Sequence, residues 1–123
     1  MAWNINNYSP VYMQLMQIIS WDIIKGKFKA GDKLPSVRDL AVEASVNPNT
    51  MQKALSELER TGIVYSKRTS GRFITEDGEV IKKLKVDLAR KEIEDFLDKM
   101  NNMGFSGSDT LELISKIVSE GGK

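Results

Sequence analysis

Two helix starts in this chain lie so close together that only a tight turn can separate the helices they open. Ser36 precedes Val37, Leu40, Ala41 and Ala44, which recur at helical spacing. Asp39 stands three residues after Ser36, where a capping box places its acidic partner. Asn47-Pro48 then reads as an N-cap followed by proline at the first helical position, where a missing N–H costs nothing. Behind it Met51, Ala54, Leu55 and Leu58 form an inner face, and Gly62 ends the run. Only Ser45-Val46-Asn47 remains between the two helices, so the chain must reverse within a turn, as in a helix-turn-helix.

The flanking segments complete a pattern. Ser9-Pro10 reads as N-cap and first position of an earlier helix carrying Val11, Leu15, Ile18, Ile19 and Ile23, stopped at Gly26. Residues 27–34 read as a polar connector with Gly31-Asp32, closed by Pro35. After Gly62 the period changes. Residues 63–67 and 72–75 are short β-prone runs around Arg68-Thr69-Ser70-Gly71, which predicts a hairpin. Asp77-Gly78 marks a break. The expected organisation is a winged helix-turn-helix over residues 1–76 and a helical dimerisation region over 77–123: a mainly α chain with one small β-hairpin wing. In the second part, residues 80–100 predict a helix with one wide apolar stripe, Ile81, Leu84, Leu88, Ile93, Phe96, Leu97 and Met100. Residues 101–108 read as a loop. Residues 109–120 predict a last helix with Leu111, Ile114, Ile117 and Val118 inward, followed by a frayed tail at 121–123.

Composition removes much chemistry. The 123 residues include no His and no Cys. That excludes Ser-His-Asp and Cys-His catalysis, zinc sites built on those ligands, and disulfides. No clustered oxygen ligands and no phosphate-cradling glycine loop stand out, so neither an enzyme nor a cofactor is expected. No basic leader and no apolar run of about 18 residues is visible, which makes a cytoplasmic location and no membrane contact the default. The net charge is only +1, but residues 1–75 hold 10 Lys/Arg against 6 Asp/Glu, and residues 76–123 hold 8 against 11. The first part is the one suited to an anion.

In a helix-turn-helix the second helix enters the major groove with its N-terminal residues against base edges. Here that end carries Asn47, Asn49, Thr50, Gln52 and Lys53. Asn and Gln can bond adenine bidentately, and Thr can meet a thymine methyl. For Asn47, simple capping is the competing role. Ser36 stands at the preceding helix start, and a helix N-terminus favours phosphate. Arg38 sits near the same start, where a cation opposes the helix dipole; its presence suggests a use, and a phosphate or a guanine is the natural one. Pairing with Asp39 or Glu43 is the alternative. Lys67, Arg68, Ser70, Gly71 and Arg72 at the hairpin tip suit a wing lying along a groove, or a solvated hairpin protecting its edge.

Residues 8–75 resemble the DNA-binding domain of the GntR family of bacterial regulators. The carrying residues are Pro10-x-Tyr12-x-Gln14, then Gly26-x-Phe28-x-x-Gly31-Asp32-x-Leu34-Pro35-Ser36-Val37-Arg38-x-Leu40-Ala41. Val46-Asn47-Pro48-Asn49-Thr50-Met51-x-Lys53-Ala54-Leu55 and Leu58-Glu59-x-x-Gly62-Ile63-Val64 follow. The resemblance implies DNA contacts at Arg38, Asn49, Thr50, Gln52, Lys53 and the wing near Gly71. The chain departs from many relatives at Pro48 and Gln52, where arginines are common, and at Thr69-Ser70-Gly71, where the wing usually reads Gly-x-Gly. With only 48 residues after position 75, it resembles the short-tailed YtrA-like group, whose members dimerise through tail helices.

The expected partners are therefore a double-stranded DNA operator with an inverted repeat and a second copy of the chain. The dimer face is assigned to Leu84, Leu88, Ile93, Phe96, Leu97, Met100, Leu111 and Ile114, because two helices cannot enclose such a stripe alone. Packing of that stripe onto the first helix is the alternative. Two other functional readings stay open: a winged helix that binds protein, and a regulator sensing a small apolar effector. The effector pocket would be lined by Tyr12, Met13, Met16 and Trp21 together with Phe96, Met100, Met103 and Phe105.

Overall fold

The computed structural model describes residues 3–122; Met1, Ala2 and Lys123, the last residue of the expected tail, lie outside them. The order is α1 (Val11–Ile24), α2 (Val37–Ala44), α3 (Pro48–Arg60), β1 (Val64–Lys67), β2 (Gly71–Ile74), α4 (Gly78–Asn102) and α5 (Gly107–Ser119). This is the winged helix-turn-helix, with two further helices, that the sequence predicts.

The caps explain most boundaries. Asp39 N–H donates to Ser36 Oγ at 3.1 Å, and Asn49 N–H donates to Asn47 Oδ1 at 2.8 Å. The turn between α2 and α3 is made by Ser45 in the left-handed region (φ 58°), the lone non-glycine there among the described residues. Val46 N–H closes it on Ala41 O. The start of α1 differs from expectation. Pro10, not Ser9, is the N-cap, and no side chain caps that helix. Gln14 reaches back instead: its amide donates to Ser9 O and Asn6 O and accepts from Asn6 N–H. The start of α5 also lies earlier than expected. Ser106 and Asp109 form a reciprocal capping box, so the helix begins at Gly107 and Gly104 alone marks the turn before it (φ +92°).

The first compact unit runs through Lys85. Its centre is α3, which packs against α1, α2 and β1. Met51, Ala54, Leu55 and Leu58 on its inner face are buried, as are Leu15 and Ile19 of α1, Leu40 and Ala41 of α2, and Val64 and Ile74 of the hairpin. The strands pair antiparallel, with Val64 opposite Ile74 and Ser66 opposite Arg72. Residues 31–34, expected to be a polar connector, form an added edge on β2. Leu34 N–H donates to Arg72 O, Ile74 N–H to Asp32 O and Gly31 N–H to Ile74 O, and Lys33 bridges Phe73. Such pairing depends on a strand about 40 residues away and leaves no local pattern.

The single stripe expected on α4 is two. At about 100° per residue, Ile81, Leu84 and Leu88 share one side of the helix, while Val86, Ile93, Phe96, Leu97 and Met100 share nearly the opposite one. Leu84 is buried within the first unit, which makes it core and not an open dimer contact. The second unit begins at Val86. Leu97 and Met100 are half-buried, but Ile93 is 58% exposed, Phe96 41%, Leu111 66% and Ile114 39%. Ile117 and Val118 are exposed too. The inward orientation expected for α5 is thus corrected: Leu111, Ile114, Ile117 and Val118 are all exposed.

Leu55→Ala should destabilise the chain by about 2–5 kcal/mol, because Leu55 is fully buried at the meeting point of the first unit. Denaturant unfolding of both proteins measures the loss, and Val42→Ala, at a largely exposed position, serves as the near-neutral control.

Candidate nucleic-acid interface

Burial of one side of α3 decides what the other side offers. With Met51, Ala54, Leu55 and Leu58 turned inward, Asn49, Gln52, Lys53 and Ser56 are exposed and Thr50 is half-exposed. Gln52 Nε2 donates to Ser56 Oγ at 3.3 Å along this front. Lys53 Nζ lies 4.1 Å from the centre of the Tyr12 ring, a cation–π contact that joins α3 to α1. Ser36 and Asn47 are occupied as caps through their oxygens. The Ser36 hydroxyl proton and the Asn47 amide hydrogens remain as donors at two helix N-termini, where the dipole favours an anion. Arg38, in the first turn of α2, is exposed and makes no ion pair with Asp39 or Glu43 among the described residues.

The wing stands beside the start of α2. Lys67, Arg68 and Ser70 are exposed at its tip, and Lys67 Nζ lies 4.7 Å from the Phe73 ring centre. Phe73 in turn stacks on Tyr65, with ring centres 5.8 Å apart. An open cleft of about 660 Å³ runs between the wing and the start of α2, lined among others by Lys33, Ser36, Asp39, Ser70 and Gly71. Gly71 is favoured there by its backbone, and the nearest obstacle to a side chain is the movable end of Lys33. Its φ is +106°, and a Cβ would stand 3.2 Å from Lys33 Cε.

Arg72 departs from the expected set. Its Nε donates to Glu59 Oε1 at 2.5 Å, and its side chain is only 19% exposed, so it is not a free wing cation. The same Glu59 oxygen accepts from Ser66 Oγ at 2.6 Å. The Ser66 hydroxyl first, and then the Arg72 guanidinium, hold the Glu59 carboxyl below the ordinary carboxylate range against the opposing effect of burial. It is therefore ionised at neutral pH.

The structure thus brings Ser36, Arg38, Asn47, Asn49, Thr50, Gln52, Lys53, Lys67, Arg68, Ser70 and Gly71 together in one unit with accessible polar atoms, and commits Arg72 to an internal pair. Sequence reasoning missed Lys33, and it gave Tyr12 to an effector pocket and not to the contact with Lys53. Tyr12 stood in the Pro10-x-Tyr12-x-Gln14 pattern, and Lys33 is flanked by the Gly31-Asp32 and Leu34-Pro35 signals, but neither carried a sign of its partner.

Comparison with known proteins agrees with this geometry. The family model "Bacterial regulatory proteins, gntR family" matches residues 11–74. The chain is 42% identical to the uncharacterized HTH-type transcriptional regulator YhcF of Bacillus subtilis over 113 residues, 92% of this chain and 93% of that one. It is 35% identical to the HTH-type transcriptional repressor YtrA of the same organism, covering 94% of this chain and 91% of the relative. Among solved structures, a GntR family transcriptional regulator from Listeria monocytogenes superimposes with a TM-score of 0.80 at 38% identity, over 91% of this chain and 98% of that one. The DNA-binding domain of AraR in complex with operator ORR3 superimposes with a TM-score of 0.53 at 28% identity, over 61% of this chain and 90% of that domain. A match over the whole helix-turn-helix and wing, together with relatives of nearly the same length, places the chain in the GntR family of bacterial regulatory proteins, as a DNA-binding transcription regulator of YtrA-like size.

Proposed function

We propose that the chain is a homodimeric repressor that binds an inverted-repeat operator, setting two α3 helices in successive major grooves about 34–36 Å apart. The observation that carries this reading is a set of exposed polar side chains in one unit: Arg38, which has no ion pair with Asp39 or Glu43 among the described residues, Asn49, Gln52 and Lys53 on α3, and the wing cations Lys67 and Arg68. Asn49, Thr50, Gln52 and Lys53 are assigned to base edges and nearby phosphates; Ser36, Arg38, Asn47 and the wing residues Lys67, Arg68, Ser70 and Gly71 are assigned to the backbone. The AraR domain bound to its operator supports the choice of duplex DNA as partner, and YtrA, a repressor of similar length, supports repression. Chromosomal DNA as target implies a cytoplasmic protein.

The residues after Val86 are assigned to dimerisation. Ile93, Phe96, Leu111 and Ile114 present apolar surface that a second copy can cover. A dimer would also let a chain of net charge +1 bind DNA tightly, because two sets of phosphate contacts would act together.

Selection of bound sequences from a random duplex library at physiological salt should enrich an inverted repeat; enrichment of single half-sites alone would exclude a dimeric reader. Arg38→Ala should cost about 1–3 kcal/mol of operator affinity with the unfolding midpoint unchanged. An unaltered affinity would remove Arg38 from the interface. For the dimer, sedimentation of the double variant Ile93→Glu, Leu97→Glu should shift to the monomer mass. A parent chain that already sediments as a monomer at the concentrations used for DNA binding would sink the assignment.

A further inference from the structure

Glu59 stands next to the last residue of α3, at the opposite end of the helix from Asn49 and Thr50, and the DNA-binding assignment gives it no task. Yet its carboxylate holds the wing. Ser66 Oγ and Arg72 Nε both donate to Glu59 Oε1, at 2.6 and 2.5 Å. Ser66 and Arg72 face each other across the hairpin, so one oxygen grips both strands at a single rung. The next rung, Lys67 opposite Gly71, is the last before the tip.

A two-stranded hairpin of this length is at best marginally stable by itself. Its base is fixed by the buried Val64 and Ile74, and the stacked Tyr65 and Phe73 cover the middle. Beyond them, on the β1 side, the Glu59 bonds are the contacts that tie the outer rungs back to the recognition helix. Both are charge-assisted, the stronger class of hydrogen bond. Arg72 is too covered to serve as a free phosphate contact and sits where it can brace the wing instead.

We infer that Glu59 is a positioning residue for DNA binding: through Ser66 and Arg72 it sets the angle of the wing on α3, and so decides where Lys67 and Arg68 meet the duplex, without touching DNA itself. The inference rests on the DNA-binding reading. A wing already ordered loses less freedom on binding, and its two exposed cations arrive at phosphates in one geometry. Loss of the strut should therefore weaken binding only through those cations.

The test uses the full chain, Glu59→Ala, and random-sequence duplex DNA at low salt as the probe. In the parent background Glu59→Ala should weaken binding roughly three- to tenfold. In a Lys67→Ala, Arg68→Ala background it should cost no affinity, because the wing then has neither of its two exposed cations to place, and the Arg72 it releases can only favour the duplex. In the free protein, amide exchange at residues 66–73 should quicken while the buried turns of α3 keep their protection. Ser66→Ala removes one of the two bonds without altering α3, and should reproduce the pattern at smaller amplitude even if Glu59→Ala folds poorly. Equal losses in both backgrounds, or unchanged exchange in the wing, overturn the inference. A parent chain that binds no duplex at low salt overturns the DNA-binding reading instead, and wing exchange then still decides whether Glu59 braces the hairpin.

Discussion

One side of α3 is buried against three neighbours at once: α1, α2 and the hairpin all close on Met51, Ala54, Leu55 and Leu58. That burial supplies the apolar area that holds the first unit together, and it also orients the helix. Because residues three and four apart share a face, sinking those four side chains forces Asn49, Gln52 and Lys53 outward. Recognition chemistry and core packing are therefore two sides of one amphipathic segment. The turn at Ser45 and the caps at Ser36 and Asn47 then set where the helix begins, which decides which polar residues stand at its leading end.

Features written in local sequence were legible in advance. Ser36, Asn47-Pro48, Gly26 and Gly62 act on backbone groups within a few residues, so their types announce the helix ends they make. The change of period after Gly62 likewise announced the hairpin. Two of the misreadings share one cause, a partner distant in sequence. Nothing near Arg72 tells that Glu59 will take its guanidinium from thirteen residues away. Nothing in residues 27–34 tells that a strand far along the chain will accept them as an edge. At α1 the expected Ser9 cap was displaced by Gln14, which bonds the arm before the helix from inside it.

The reading of α4 failed for a different reason. Counting apolar residues along a helix gives their number, while their angular positions decide what they can cover. Ile81, Leu84 and Leu88 fall on one side and Val86, Ile93 and Leu97 on the other, so a segment that looked like one broad stripe serves two separate surroundings. The exposed apolar side of α5 follows the same logic. Its periodicity is that of a buried face, but the sequence cannot tell whether the cover belongs to the same chain.

The added edge on β2 has a consequence for how the chain survives at high local concentration. An open strand edge presents unpaired N–H and C=O groups on which other chains can template, and a hairpin with Val64, Tyr65, Phe73 and Ile74 is apolar enough to invite it. Residues 31–34 occupy the outer groups of Arg72 and Ile74, and Pro35, which has no N–H to offer, follows at once. The short segment that joins α1 to α2 thereby covers the outer edge of β2, and the chain's own backbone takes the place at that edge that another chain's strand would need.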